Sequence, residues 1–265
     1  MKSKFKNRTV LVTGASKGLG AEFARQLAAR GANVVLVARS AHVLRALADE
    51  LHSKHGVNAT FIAADLGASD APETAMRELD RRGLEIDLLI NNAGLGQTGA
   101  FLSNPLSHEL GSIQVNVHAL VALSHLFGRR MRERGHGGII NIASNAAFQP
   151  LPHMATYAAA KAFVLHFTEA LRHELEASGV HVMAAVPGST ATSFFEGVPV
   201  TMQESAFDRA DVVVERTLDA FARGKSISYP GRLSIRLATL APRFFPRKAM
   251  VKVAAGATAR MGLSR

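Results

Sequence analysis

Short apolar runs alternate with segments of helical periodicity along the first 230 residues of the chain. Residues 34–38 are apolar at every position, which is typical of a strand that is buried on both faces. The segment that follows places Leu44, Leu47 and Leu51 on one face of a helix. Strands and helices that alternate in this way build a parallel sheet with helices on both of its faces. The predicted strands cover residues 9–13, 33–38, 59–63, 87–90, 137–142, 180–186 and 226–229.

The pattern predicts an α/β fold with a Rossmann-like, doubly wound and mostly parallel sheet of seven strands. Between the strands, helices are predicted over about residues 21–30, 43–56, 72–82, 105–134, 155–177 and 210–223. No linker or repeat divides the first 230 residues. We therefore expect one domain over residues 1–230, followed by a helical extension over residues 231–265.

The composition is that of a globular protein, since 48% of the 265 residues are apolar and 20% are charged. There is no cysteine, which excludes disulfides, a thiol nucleophile and a thiolate metal site, and no metal centre is expected. Neither a signal peptide nor a membrane-spanning helix is expected, because no sufficiently long apolar segment free of charge occurs. These features favour a cytoplasmic protein.

The excess positive charge lies at the C-terminus. The chain carries a net charge of +10, and ten Lys or Arg but no Asp or Glu follow residue 222. In the last predicted helix, Lys248 and Lys252 lie off the apolar face. That face is predicted to contain Met250, Val253, Ala254, Ala257 and Met261.

Three interpretations of this basic extension stay open. It could be a helix that packs subunits or supports a lid, with its basic face in solvent. It could make a peripheral contact with an anionic membrane surface, or dock an acidic partner such as an acyl carrier protein. A nucleic-acid partner is not expected, because interleaved aromatic residues and a recognised binding motif are absent.

A glycine-rich turn connects the first predicted strand to the helix after it, with glycines at positions 14, 18 and 20. A helix N-terminus carries unpaired N–H groups and a partial positive charge, and glycine lets a pyrophosphate approach the backbone closely. Such a turn could simply be a tight strand–helix connection. Its position after the first strand favours dinucleotide binding.

The end of the second predicted strand indicates which dinucleotide is bound. NAD enzymes place an acidic residue about 20 residues beyond the turn to bind the ribose 2′-hydroxyl. Here Arg39 stands at this place, and a guanidinium can pair with a 2′-phosphate. Lys17 could add a second positive charge. Although both side chains could simply be solvated, together they favour NADP(H) over NAD(H).

Tyr157 and Lys161 are four residues apart, so they share one helix face. The pKa of an ordinary tyrosine is near 10, and a neighbouring ammonium lowers it, which can tune a general acid. Taken alone, the pair could be a chance pair on the protein surface. However, Ser144 lies just beyond the fifth predicted strand, at the sheet edge where ligands bind in such folds.

The sequence resembles the short-chain dehydrogenase/reductase family, in its single-domain branch, over residues 9 to about 230. The matching motifs occur in order and at the family's spacing. They are residues 13–20 (TGASKGLG), Asp65-Leu66, residues 91–94 (NNAG), Asn116, Ser144, Tyr157-x-x-x-Lys161 and Pro187-Gly188.

The resemblance implies a role for each of four catalytic residues. Tyr157 would exchange the carbonyl proton, and Lys161 would bind the nicotinamide ribose and lower the pKa of the tyrosine. Ser144 would orient and polarise the substrate oxygen, and Asn116 would hold a water in a proton relay to Lys161.

The resemblance also implies the cofactor contacts, including a place for Asn91 at the cofactor. The predicted cofactor-binding residues are Gly14, Ser16, Lys17, Gly18, Leu19, Gly20, Arg39, Asp65, Leu66, Asn92, Ala93, Gly94, Tyr157, Lys161, Pro187, Gly188, Thr190 and Thr192.

A substrate lid is implied by the resemblance over about residues 188–210, a stretch that contains Phe194 and Phe195. These aromatic side chains could anchor the loop to the core. Alternatively, they could line an apolar pocket for an acyl chain, a steroid or a hydrophobic ketone. Phe148, Leu151 and Met154 would add apolar walls, and His153 could touch the substrate or lie at the pocket rim.

The sequence thus predicts an oxidoreductase that transfers a hydride between NADPH and a hydrophobic carbonyl or alcohol. One alternative within enzymes is a 3-oxoacyl-[acyl-carrier-protein] reductase. A non-catalytic NADP sensor or a membrane-associated scaffold is the alternative from another class. The resemblance implies a homodimer or a homotetramer.

Overall fold

A computed structural model of the chain describes residues 4–192 and 207–263. Within them, seven parallel strands form one sheet in the order β3-β2-β1-β4-β5-β6-β7, which confirms the predicted fold class. The strands are β1 (Thr9–Thr13), β2 (Asn33–Ala38), β3 (Ala59–Ala63), β4 (Leu88–Asn91), β5 (Gly137–Ile142), β6 (Val180–Ala185) and β7 (Ile227–Ser228).

Helices follow the strands in the predicted order. They are α1 (Gly18–Ala29), α2 (Ala41–His55), α3 (Ala71–Arg81), α4 (Leu106–Ile113), α5 (Ala119–Arg134), α6 (Ala155–Leu175), α7 (Ala210–Ala222), α8 (Leu233–Ala238) and α9 (Arg247–Arg260). Short 3₁₀ turns add to them, and one of these turns, Asn145–Phe148, begins three residues after the end of β5.

The sheet separates two helical layers, and each strand contributes side chains to both. In β1, Val10 and Val12 belong to a buried cluster that contains Phe23 of α1. Leu11, which points to the opposite face, belongs to a cluster that contains Leu123 of α5. Because successive side chains of a strand point to opposite faces, a strand covered on both sides must be apolar throughout. This is why the strands read as continuous apolar runs.

The order of the strands reverses beside β1. The chain runs from β1 to β2 and β3 on one side, and then returns to β4 on the other side of β1. The loops that leave the carboxyl ends of β1 and β4 therefore diverge. In doubly wound sheets this divergence opens a crevice in which ligands bind.

The single long helix predicted over residues 105–134 is interrupted. A π-helical turn, Gln114–His118, separates α4 from α5 and contains Asn116. The Asn116 amide Nδ2 donates to the backbone oxygens of Leu95 (2.7 Å) and Ser112 (2.9 Å). An asparagine side chain that bonds to nearby carbonyls competes with the regular helix, and π turns are frequent at functional sites.

The stretch Leu106–Arg134, 29 residues long, is apolar and long enough to cross a membrane by length and composition alone. Its second half, α5, contacts β4, β5 and α3. Leu123, Phe127 and Met131 are buried in the cluster between α5 and the sheet. Packing within the protein therefore accounts for the apolar face of α5.

A buried polar network joins β4 and β5 to the helices above them. The Asn91 amide Nδ2 donates to Asn141 Oδ1 (2.9 Å) and to Ser124 Oγ on α5 (3.0 Å). The Asn141 amide Nδ2 in turn donates to Thr168 Oγ1 on α6 (3.0 Å). Because a buried polar group without a partner is costly, the four side chains depend on one another.

We predict that Asn141→Ala lowers the free energy of unfolding by about 2–3 kcal/mol, because it removes bonds from Asn91 and Thr168 and leaves a small cavity. Urea unfolding followed by circular dichroism measures the change. Asn58→Ala, at an exposed position, is the matched control and should change stability by less than about 0.5 kcal/mol. Equal effects of the two substitutions would contradict a stabilising role for the network.

Candidate active site

The carboxyl ends of the central strands open into a cavity of about 750 Å³. It extends past the glycine turn, the end of β2, the end of β5 and the start of α6. The predicted cofactor residues that line it are Gly14, Ser16, Lys17, Gly18, Leu19, Arg39, Asp65, Leu66, Asn92, Ala93, Gly94, Tyr157, Lys161, Pro187, Gly188, Thr190 and Thr192. Gly20 is the one predicted cofactor-binding residue that does not line the cavity.

The three glycines of the turn serve different purposes. Gly14 and Gly18 have φ angles of +65° and +58°, a conformation that side-chain-bearing residues rarely adopt. Gly20 is buried, and a Cβ placed on it would lie 2.2 Å from the carbonyl oxygen of Gly14. Gly20 therefore lets α1 pack directly on the turn; it does not line the cavity, and its contact with the cofactor stays a prediction.

Hydrogen bonds fasten the glycine turn to the end of β4. The Thr13 hydroxyl accepts from the backbone N–H groups of Asn92 and Ala93, both at 2.9 Å, and donates to the carbonyl of Ile90. The Asn92 amide Nδ2 donates to the carbonyl oxygen of Thr13 (2.9 Å). The residues after β1 and β4 thus form one rigid floor for the cavity.

Asn91 lies in the buried network and not on the cavity wall. Its side chain bonds to Asn141 and Ser124 between the sheet and α5. The neighbouring Asn92 is the residue that lines the cavity, and the predicted place of Asn91 at the cofactor gains no support from its position. Successive residues at a strand end point in opposite directions, which separates the two asparagines.

One end of the cavity is electropositive. Lys17 and Arg39 are exposed and line it at the glycine turn and at the end of β2. Asp65 is the one acidic side chain on the wall within the described part of the chain, and its Oδ1 accepts from the backbone N–H of Gly67 (3.0 Å). Two cations against one carboxylate suit a ligand that carries several negative charges.

Three of the predicted catalytic side chains meet at the other end. Ser144 follows β5, and Tyr157 and Lys161 stand one turn apart on α6; all three are buried and line the cavity. The side chains of Ser144 and Tyr157 are hydrogen-bonded to each other. The Lys161 ammonium donates to the carbonyl oxygen of Ile142 (2.8 Å), and its nitrogen lies 5.8 Å from the centre of the Tyr157 ring.

Burial moves the pKa values of Tyr157 and Lys161 in opposite directions. It raises the pKa of the Tyr157 phenol to about 12, an effect that the hydrogen bond with Ser144 partly offsets. It lowers the pKa of the Lys161 ammonium to about 8. The expected lowering of the tyrosine pKa by Lys161 is not seen in the protein alone. Removal from water disfavours the charged form of both groups, and this desolvation is the largest cause of both shifts.

Asn116 stands behind the cavity wall and not on it. Its amide oxygen Oδ1 is buried and has no hydrogen-bond partner in the described part of the chain. Both this oxygen and Lys161 Nζ lie within 3.5 Å of the position that a Cβ on Gly94 would occupy. The two polar groups therefore converge beside Gly94, as a relay between them requires.

The predicted substrate residues divide into three groups. Leu151 and Met154 line the cavity, as expected. Phe148 and His153 do not line the described part of the cavity, so their predicted contact with the substrate gains no support from the structure. Phe194 and Phe195 lie outside the described residues.

Local backbone geometry explains the positions of Phe148 and His153. The 3₁₀ turn after Ser144 directs Phe148 to Tyr229, with the ring centres 6.2 Å apart. His153 adopts a positive φ of 65°, and its carbonyl oxygen accepts from the N–H of Gly99 (3.0 Å). Neither feature can be seen as a periodicity in the sequence.

The C-terminal helix α9 supplies a cavity wall that sequence analysis missed. Ala257, Thr258 and Met261 line the cavity, and Met261 and Leu263 pack in a cluster with Tyr157. The sequence shows the apolar periodicity of α9, but it does not show which part of the protein this apolar face packs against. Val253 was predicted on the inward face and is instead 63% exposed, which is a further correction.

The two ends of the predicted lid are held together. Thr190 and Asp208 form a parallel bridge, in which the N–H of Ala191 donates to the carbonyl of Asp208 (2.9 Å). Arg232 lies 3.2 Å from Asp208 Oδ1. The central part of the lid, residues 193–206, is outside the described residues.

A comparison with protein families finds that residues 8–202 match the model described as short chain dehydrogenase. The chain is also 32% identical over 202 residues to hydroxysteroid dehydrogenase-like protein 1 of Gallus gallus, a match that covers 76% of this chain and 61% of that protein. It spans about one third to three fifths of the length of several such curated relatives.

Solved structures resemble the chain over most of its length. A short-chain dehydrogenase from Sphingobium yanoikuyae in complex with NADPH is 36% identical, with a TM-score of 0.81 over 89% of this chain and 93% of that one. The bulky-bulky ketone specific alcohol dehydrogenase from Comamonas testosteroni is 32% identical, with a TM-score of 0.78 over 89% and 91%.

The lowered pKa of Lys161 predicts a pH dependence of stability. Between about pH 8 and pH 10.5 the unfolded chain holds a proton on Lys161 that the folded protein has lost. Stability should therefore rise with pH, by at most about 1.4 kcal/mol per unit, until the raised pKa of Tyr157 reverses the trend above about pH 10.

Urea unfolding of cofactor-free protein from about pH 8 to pH 10 measures this slope. Lys161→Met, which cannot titrate, is the comparison and should lack the contribution. If the two proteins showed the same slope, the buried lysine would not be the source of the dependence.

Proposed function

The chain belongs to the short-chain dehydrogenase/reductase family, and we propose that it is an NADPH-dependent reductase of hydrophobic ketones or aldehydes. The observation that carries this proposal is the single cavity that connects two chemically different ends. Lys17 and Arg39 stand at one end, and the buried Ser144, Tyr157 and Lys161 at the other. The reverse reaction, oxidation of an alcohol, uses the same residues.

The residues present fit NADP(H). Gly14 and Gly18 leave the backbone of the turn open to a pyrophosphate, and the Thr192 side chain stands beside Gly18. Arg39 would hold a 2′-phosphate, with Lys17 adding positive charge. The NADPH complex of the similar Sphingobium yanoikuyae enzyme supports this assignment. When bound, NADPH supplies the hydride that reduces the carbonyl carbon.

Ser144 and Tyr157 act on the substrate oxygen. The Ser144 hydroxyl accepts a hydrogen bond from the N–H of Ala146 (3.1 Å) and donates to Asn145 Oδ1 (3.2 Å). When a substrate binds, this hydroxyl would turn its proton to the carbonyl oxygen of the substrate. Tyr157 is protonated at neutral pH and would be the general acid that gives its proton to this oxygen. Burial, which raises its pKa to about 12 in the protein alone, makes the phenol a weaker acid, so the bound complex would have to offset this rise.

Lys161 and Asn116 return the proton. With a pKa of about 8, Lys161 can gain or lose a proton near neutral pH. The partnerless Asn116 oxygen beside Gly94 is placed to accept a hydrogen bond from a water. That water would link Lys161 to solvent, and Lys161 would in turn restore the proton that Tyr157 has given up.

The walls near Tyr157 favour an uncharged, apolar substrate. Leu151, Met154 and Met261 line this end of the cavity. Apart from Lys161, no Lys or Arg of the described chain lines this end. In the described part of the chain, a substrate carboxylate would therefore find no arginine to bind it. The ketone specificity named for the similar Comamonas testosteroni enzyme supports a bulky ketone.

Turnover against a carbonyl panel tests the proposal. Purified protein is given NADPH or NADH with steroid ketones, medium-chain aldehydes, aromatic diketones and 3-oxoacyl thioesters, and cofactor oxidation is followed by absorbance. We expect NADPH-dependent reduction of an uncharged ketone or aldehyde. Activity confined to the thioesters would favour the 3-oxoacyl reductase, and NADPH binding without any turnover would favour a sensor.

Tyr157→Phe should lower kcat by about 10²–10⁴-fold and leave the Kd for NADPH within about threefold of the original, since only the transferable proton is removed. Steady-state kinetics and cofactor fluorescence measure the two constants. Tyr229→Phe is the matched control, because Tyr229 packs on Phe148 away from the cavity wall. Turnover that survived Tyr157→Phe would exclude the tyrosine as the proton donor.

Arg39→Asp should weaken NADPH binding by at least about tenfold and spare NADH, because it replaces the partner of the 2′-phosphate with a like charge. Fluorescence titration with each cofactor gives the ratio of the two Kd values. Arg45→Asp makes the same charge change on α2, outside the cavity wall, and should leave the ratio unchanged. An unaltered ratio in Arg39→Asp would refute the phosphate contact.

A further inference from the structure

Exposed large apolar side chains fall mainly in two segments of the described chain, residues 101–113 and residues 233–253, and only the second segment contains Lys or Arg. Thirteen large apolar residues are exposed in the described parts of the chain, and seven of them lie between Leu233 and Val253. Phe244 and Phe245, in the connection between α8 and α9, are 80% and 59% exposed. An apolar surface of this kind marks a contact with a partner or with lipid more often than a surface that faces water.

The same segment carries positive charge without negative charge. No Asp or Glu follows Asp219 in the sequence. Basic side chains flank the exposed phenylalanines on both sides, and Arg243, Arg247, Lys248 and Lys252 are all exposed. The partner must therefore accept apolar and cationic groups together.

We propose that residues 233–253, the C-terminal basic surface, dock the protein on an anionic lipid membrane. Exposed phenylalanine, leucine and valine side chains enter the boundary between headgroups and acyl chains in such contacts. Lysine and arginine side chains reach the lipid phosphates while their aliphatic parts remain in the apolar layer. The C-terminal basic surface offers both kinds of side chain within about twenty residues.

Charge favours a lipid surface over a second copy of the chain. A twofold contact would bring two copies of the C-terminal basic surface together, and the positive charges of the two copies would repel each other. No acidic residue within this surface could compensate for that repulsion. A bilayer with anionic headgroups meets both the charge and the apolar side chains.

Helix α9 connects the C-terminal basic surface to the cavity. Met250 and Ala254 on its inner side are buried, and Ala257 and Met261 line the cavity. Lys248 and Lys252 lie on its outer side and are exposed. Docking would thus hold the wall near Tyr157 close to the bilayer, in which a hydrophobic carbonyl compound dissolves. This last step rests on the proposed function, whereas docking itself does not.

Vesicle binding by the full chain tests the proposal without any turnover. Protein is floated with vesicles of phosphatidylcholine alone or of phosphatidylcholine mixed with phosphatidylglycerol, at low and at high salt. We expect binding to the mixed vesicles at low salt, weak binding to neutral vesicles, and release at high salt. Equal binding to both vesicle types, or no binding to either, would overturn the proposal.

Two double variants locate the contact. Lys248→Gln with Lys252→Gln should weaken partitioning by about fivefold for each charge removed. Phe244→Ser with Phe245→Ser should weaken it at least as strongly. Their matched controls, Lys54→Gln with Arg77→Gln and Phe101→Ser with Leu102→Ser, change exposed residues elsewhere and should bind as the unmodified chain does. Controls that weakened binding equally would contradict a specific surface.

Further measurements test whether each variant is folded and whether a second copy or an acidic protein, and not lipid, binds the C-terminal basic surface. Thermal unfolding shows whether each variant is folded, and turnover of a water-soluble ketone in the absence of vesicles should be unchanged. Self-association that Phe244→Ser with Phe245→Ser abolishes, without vesicle binding, would identify a second copy as the occupant. Binding to polyglutamate but not to vesicles would identify an acidic protein. Either result would overturn lipid docking.

Discussion

The hydroxyl of Thr13 holds together the two strand ends between which the crevice opens. It accepts from the N–H groups of Asn92 and Ala93 and donates to the carbonyl of Ile90, so the residues after β1 cannot move relative to those after β4. Gly20 completes the contact, because only a residue without Cβ lets α1 begin so close to the turn. The cavity and everything that lines it depend on this close backbone approach.

Burial sets the electrostatics at the other end of the cavity. Tyr157 and Lys161 lose water on the same helix face, which favours the protonated phenol and the neutral amine. The cluster that shields Tyr157 includes Met154 from the loop before α6 and Leu263 from the end of the described chain. The proton chemistry that we propose therefore depends on packing contributed from distant parts of the sequence.

Several parts of the site could be predicted because their causes are local. The glycine turn, Arg39 at the end of β2, and the Tyr157–Lys161 spacing each follow from a short stretch of residues. The positions of Phe148 and His153 away from the described cavity wall could not be predicted, for the opposite reason. A 3₁₀ turn and a positive φ redirect them, and both depend on contacts with Tyr229 and with Gly99 that lie far away in the sequence.

The sequence by itself determined the order of strands and helices, the parallel sheet and the basic C-terminus, since hydrophobic periodicity and charge are properties of neighbouring residues. Only the tertiary structure decided that α9 forms a wall of the cavity, that Asn116 lies in a π turn with its amide oxygen beside Gly94, and that Val253 is exposed. Contacts between residues that are distant in the sequence determine what an apolar face packs against, and a local sequence pattern does not reveal these contacts.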